Sequence, residues 1–211
     1  MKALLAQTRS ELMLSLRNGE QLLVNIAIPL LLLVFFSAVK VLPIPTGVDK
    51  RVDFLAPGII ALAVMSNAMV ALAIGTGFER HYKVLKRLGA TPLGRGRWVL
   101  AKIGMVKILL IVQIALIVVA AFALGWNPGG TPWLAIPAVV LGAFAFGGIG
   151  LLMAGTLRGT VTLALANGLY LLLLLLGGMI IPFSEMPGFF GTIGKVLPSG
   201  ALSQVLQSCL R

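Results

Sequence analysis

The residues able to do chemistry in this 211-residue chain are few, and most gather in one stretch. From Glu79 to Lys102 run Arg80, Lys83, Lys86, Arg87, Arg95, Arg97 and Lys102, opposed only by Glu79. His81 is the single histidine and Cys209 the single cysteine, which excludes an intrachain disulfide, a thiolate metal cluster and clustered imidazole ligation. A Ser-His-Asp triad would have to run through His81. There is no G-x-x-x-x-G-K-[ST] loop, so the chain cannot itself cradle ATP in the Walker manner, and neither H-E-x-x-H nor G-x-S-x-G occurs. Gly147–Gly148 and Gly177–Gly178 sit in apolar runs, where close helix packing explains them better than phosphate binding.

Outside that stretch the notable polar residues are mild ones inside apolar runs: Asn25, Asn67, Gln113 and Asn167. Interhelical hydrogen bonds account for such residues at ~2 kcal/mol or less each. Asn67 and Asn167 are the two candidates for direct substrate contact. Acids occur only near helix ends or in loops, which argues against a carrier that moves its coupling proton on an intramembrane carboxylate.

The elements that must position these groups follow from composition. Hydrophobic residues make up 59% of the chain and charged ones 11%, with a mean hydropathy of +1.04. A soluble domain carries about a quarter charged residues, so the solvent for this much apolar surface is lipid. The expected fold is all-α, a polytopic membrane bundle forming a single transmembrane domain. Five apolar runs near the ~20 residues needed to cross a bilayer fall at 22–41, 54–78, 103–124, 133–157 and 161–181. Pro29 lies inside the first and should kink it.

Ahead of them, residues 2–19 form an amphipathic helix with Leu5, Leu12 and Leu16 on one side. It either rests on the membrane surface or is the cytoplasmic end of the first span. Behind them, 183–210 reads as a re-entrant or outer-leaflet helix pair, interrupted at Pro198 and too short in either half to span.

The net charge of +11 would suggest nucleic acid in a soluble protein; here its distribution gives topology. The N-terminal segment, 79–102 and Arg158 alternate with the spans and hold most of the basic charge, whereas 125–132 has none. The positive-inside rule therefore places the N-terminus and 79–102 in the cytoplasm of a multi-pass plasma-membrane protein, with no nucleic-acid partner. Within 79–92, Val84, Leu85 and Leu88 give apolar points at helical spacing among Arg80, Lys83, Lys86 and Arg87, ending at Gly89 and Pro92. Such a basic helix can anchor to anionic headgroups or dock a cytoplasmic partner. The residues alone leave both open.

The order of motifs is specific enough to carry a resemblance. Asp53-Phe-Leu-Ala-Pro-Gly58, an apolar span, Phe78-Glu-Arg, Leu85-Lys-Arg-Leu-Gly-Ala-Thr-Pro92 and Lys102 together resemble the membrane subunit of the ABC-2 type ATP-binding-cassette exporters. In that family a Pro-Gly opens the second span and a Glu-Arg pair closes it. The likeness implies a bacterial inner-membrane permease subunit without its own ATPase site. It would pair with a second copy or a sister permease and with separate nucleotide-binding subunits that carry ATP and Mg.

It further implies that 79–92 is the coupling helix, with Glu79, Arg80, Lys83, Leu85, Arg87 and Leu88 docking the ATPase. The cargo would be a hydrophobic or amphipathic compound, drug or lipid-like. The family normally has a sixth span after the re-entrant pair; with the sequence running to Arg211, the resemblance implies either a chain truncated before that span or a short member. A non-transporting anchor or scaffold subunit is the alternative reading. An intramembrane enzyme is disfavoured by the lack of a nucleophile–base pair.

Overall fold

In lipid, backbone N–H and C=O groups have no water to bond, so apolar runs must close their hydrogen bonds within themselves as helices. A computed structural model describes residues 2–39, 50–89 and 94–211, and these are helical almost throughout. The order is α1 Lys2–Arg17, α2 Gly19–Ala38, α3 Arg51–Met65, α4 Leu72–His81, α5 Val84–Gly89, α6 Arg95–Ala123, α7 Ala135–Thr156, α8 Gly159–Leu176, α9 Gly188–Val196 and α10 Pro198–Leu210. Among the described residues four helical stretches are long and apolar enough to cross a membrane: Arg51–His81, Gly96–Ala123, Pro132–Thr156 and Gly159–Leu176. The apolar part of α2, Asn25–Ala38, is shorter. The expected span at 22–41 begins within α2, and its last two residues fall in 40–49, outside the described residues.

α3 and α4 are one rod. A π-helical turn at Ser66–Ala71 joins them without a break, giving 31 helical residues from Arg51 to His81. At ~1.5 Å per residue that is about 46 Å, well beyond a ~30 Å hydrocarbon core. The rod is the centre of the bundle: α3 packs on α2, α6 and α10, while α4 packs on α7 and α8. Leu62, Met65 and Met69 on it, with Ile117, Phe146 and Met179 around it, are fully buried.

Small residues permit this approach, as expected where helices associate by close packing. A Cβ on Gly58 would collide with the backbone carbonyl of Met179, and one on Gly150 would sit 2.7 Å from the carbonyl oxygen of Met69. The Pro-Gly that opens the rod is thus a contact between backbones.

The two ends of the bundle are tied separately. At one end Lys50 Nζ donates to the carbonyl of Gly125 (2.9 Å), Asn127 N–H to Asp53 Oδ1 (3.2 Å) and Thr131 N–H to the carbonyl of Cys209 (3.0 Å). α9 and α10 gather there, with α10 lying against α3 and α7. At the other end α1 packs along α6, and α4 meets the α7–α8 turn. α1 and α2 are separate helices, interrupted at Asn18.

Two boundaries differ from expectation. The helix expected over 79–92 is divided: α4 carries the rod through His81, the chain turns at Tyr82–Lys83, and α5 covers Val84–Gly89, with 90–93 outside the described residues. The helix expected from 103 begins at Arg95, directly after Gly94 at φ +72°. Lys102 is therefore two turns inside a helix.

Candidate functional site

The α4–α5 elbow is built by one unusual residue. Lys83 has φ +60°, the only positive φ at a non-glycine among the described residues. Left-handed backbone in such a residue costs roughly 1–2 kcal/mol. Local bonds hold it: Tyr82 N–H donates to the carbonyl of Phe78 (2.9 Å), and Lys83 N–H to that of Arg80 (3.1 Å). The Tyr82 ring stacks on Phe78, centroids 6.2 Å apart.

Beyond the elbow, α5 has no buried residue. Lys83, Lys86 and Arg87 are exposed, and Leu85 and Leu88 half-buried. α5 packs chiefly on α4. A short cationic helix thus projects from the end of the central rod, presenting charge around two leucines.

Glu79 and Arg80, both in the expected docking set, are also bonded into the bundle. Arg80 Nη1 donates to the carbonyls of Ala154 (3.2 Å) and Leu157 (3.3 Å) at the end of α7. A cation there satisfies orphan carbonyls and meets the negative end of the helix dipole. Glu79 accepts from Lys102 Nζ, which also donates to Glu11 Oε2 at 2.6 Å. Gln7 Nε2 steadies Glu11 Oε1 from one turn earlier on α1 (2.9 Å). Lys102 and Glu11 are 3% and 4% exposed, and Glu79 is 22% exposed.

This three-residue cluster fastens the N-terminal helix to α6 and to the base of the rod. Sequence reasoning missed it. Glu11 and Lys102 were each legible as charges near helix ends, but nothing local signals that residues 91 apart are partners.

The intramembrane amides separate in the same way. Asn67, in the π turn, donates through Nδ2 to Gln113 Oε1, and Gln113 Nε2 donates to the carbonyl of Asn25 (2.7 Å). These bonds join the rod, α6 and α2. Asn167 is exposed on α8 and donates to the carbonyl of Leu163 in its own helix (3.0 Å). The structure does not place it in the Asn67 network. Among the described residues no group of His, Cys, Asp and Glu could hold a metal ion.

A multi-pass helical bundle with a basic elbow at one end of its central rod defines the class: a polytopic membrane protein. The particular family is given by comparison with known proteins. Residues 2–209 match the model of the ABC-2 type transporter membrane family, and the chain belongs to that family. A curated relative, "Putative transport permease YvfS" of Bacillus subtilis (strain 168), is 27% identical over 208 residues, covering 94% of this chain and 82% of its own length. No solved structure matches. Family and relative together support a transport-permease role over an enzymatic one.

Proposed function

We propose that this chain is the permease subunit of a bacterial ABC exporter that moves a hydrophobic or amphipathic compound across the plasma membrane. ATP and Mg are bound by a separate nucleotide-binding subunit, and the permease works with a second copy of itself or a sister permease. The N-terminus, the elbow and α5 face the cytoplasm, in keeping with the basic charge there. The observation that carries the reading is the mounting of α5. It stands outside the bundle, yet it is joined through a tightly bonded turn to the rod on which α2, α6, α7, α8 and α10 pack. A push on α5 by a closing ATPase pair would therefore be delivered to the centre of the bundle, where two packings can be biased against each other.

Docking falls to Lys83, Leu85, Lys86, Arg87 and Leu88, with Glu79 and Arg80 holding the base. The test is charge reversal of Lys83, Lys86 and Arg87 to Glu, leaving Arg80 intact because it ends α7. Copurification of the ATPase and ATP-dependent export are expected to fall at least about tenfold, as losing ~1.4 kcal/mol requires, with membrane insertion unchanged. Wild-type copurification and export in the triple variant would refute the assignment.

A further inference from the structure

A cavity of about 360 Å³ lies within the single chain, between α1, α2, α4 and α6. At one end are Glu11, Glu79 and Lys102; further along are Asn25, Asn67 and Gln113. Its walls are otherwise mainly apolar, including Leu22, Ile26, Leu72, Met105, Val106 and Leu109. Leu14, Leu16, Ile108 and Val112 also line it and are 40–61% exposed, so its mouth is rimmed by side chains suited to acyl chains rather than to water.

The charge of this space is opposite to that of the face around it. Among the described lining residues two carboxylates meet one ammonium, leaving a formal charge of −1 in a protein of net +11. Lys102 is already shared between both acids. Glu79 Oε2 is buried and has no hydrogen-bond partner among the described residues. Glu79 also lies in the last turn of α4, where the helix dipole favours a cation. A buried carboxylate oxygen without a donor has given up its hydration with nothing in return. A ligand that supplies a positive group there, and an alkyl body for the walls, relieves it.

We propose that this cavity is a binding site for a cationic amphiphile, an alkylammonium-type molecule whose head meets Glu79 and Glu11 and whose tail lies along α2 and α6. It names the cargo class for the permease proposed above and so rests on that reading. The two are tested separately, because binding here requires neither ATP nor the ATPase.

The experiment is equilibrium dialysis of radiolabelled decyltrimethylammonium against the full-length permease in zwitterionic lipid nanodiscs, with empty nanodiscs subtracted. Saturable binding at one site per chain is expected. Unlabelled decyltrimethylammonium should displace the label at least about tenfold better than decyl sulfate or decyl glucoside, the equivalent of ~1.4 kcal/mol. Glu79→Gln should lower affinity by about tenfold, and Glu185→Gln, an exposed acid elsewhere, should not.

Gly75 lines the cavity, and a Cβ built on it meets no atom within 4 Å. Gly75→Leu therefore fills the space while leaving the charges in place, and it should abolish binding. This variant decides the matter if Glu79→Gln fails to fold. No saturable binding over empty nanodiscs, displacement indifferent to headgroup charge, or wild-type affinity in Gly75→Leu would each overturn the site. Loss of binding with intact ATPase copurification would remove the cargo class and leave the permease reading standing.

Discussion

The central rod and α8 have nearly the same hydropathy, 2.1 against 1.9 over their most apolar windows, yet 89% of that window is buried in the rod and 22% in α8. Hydropathy reports that a segment tolerates lipid; it does not report whether lipid or protein covers it. Side-chain size does. The rod carries Ala56, Gly58, Ala61, Ala63, Ser66, Ala68, Ala71, Ala73 and Gly77, which let neighbouring helices approach. α8 ends in six consecutive leucines, Leu171 to Leu176, of which Leu171, Leu172 and Leu175 are about half exposed or more. If this contrast is sound, chemically identical substitutions should differ sharply according to whether they touch the rod.

The largest contrast is between two lysines of α6. Lys102 is buried between Glu11 and Glu79, whereas Lys107 is exposed one and a half turns later. Lys102→Met leaves two carboxylates without their cation, and breaking a buried pair this way costs about 3–5 kcal/mol. Lys107→Met should cost under about 0.5 kcal/mol, as surface substitutions do. Denaturant titration of the purified permease reads the difference. The triple variant Glu11→Gln, Lys102→Met, Glu79→Gln should recover most of the loss, since neutral groups carry no desolvated charge. Equal stability of the two single Lys→Met variants would break the contrast at its base.

Much of the architecture is legible in the sequence. The apolar runs and the basic segment between the second and third spans could be read from composition and spacing, because lipid imposes length and polarity on each helix independently; the Pro-Gly at the head of the rod took its meaning from the family resemblance. Pairings were not legible. Asn67 and Asn167 look alike in sequence, each one polar residue in an apolar run, yet one bonds across helices to Gln113 and the other to its own turn. The break at Lys83 was hidden too. No glycine or proline marks it; the turn is held by Phe78 and Arg80 carbonyls and by ring stacking, against the residue's own preference. Helix length is a property of one segment, while these features belong to pairs of segments.

A second contrast uses two glycines on α7. A Cβ at Gly150 would lie 2.7 Å from the Met69 carbonyl oxygen in the rod, and backbone cannot swing aside as a side chain can. A Cβ at Gly148 meets nothing within 4 Å. Gly150→Ala should therefore cost about 1–3 kcal/mol as overpacking. Gly148→Ala should be neutral or slightly stabilising, because alanine has the better helix propensity by up to ~1 kcal/mol. The same titration distinguishes them. A tolerated Gly150→Ala would mean that α7 can move away from the rod cheaply.

The smallest contrast returns to the two asparagines. Asn67→Ala removes the donor to Gln113, a side chain only 1% exposed, and leaves its Oε1 to find another partner. Hydrogen bonds between membrane helices average ~0.6 kcal/mol and reach ~1.7, and this one joins two helices at full burial, so a loss towards the upper value is expected. Asn167→Ala breaks only a bond to the preceding turn of its own helix, at an exposed position, and should change stability by less than about 0.5 kcal/mol. Because a buried acceptor left alone costs more than a pair removed together, the double variant Asn67→Ala, Gln113→Leu should be less destabilised than the sum of its single changes. Strict additivity there would show that the two side chains do not rely on each other, and the rod would owe its position to packing alone.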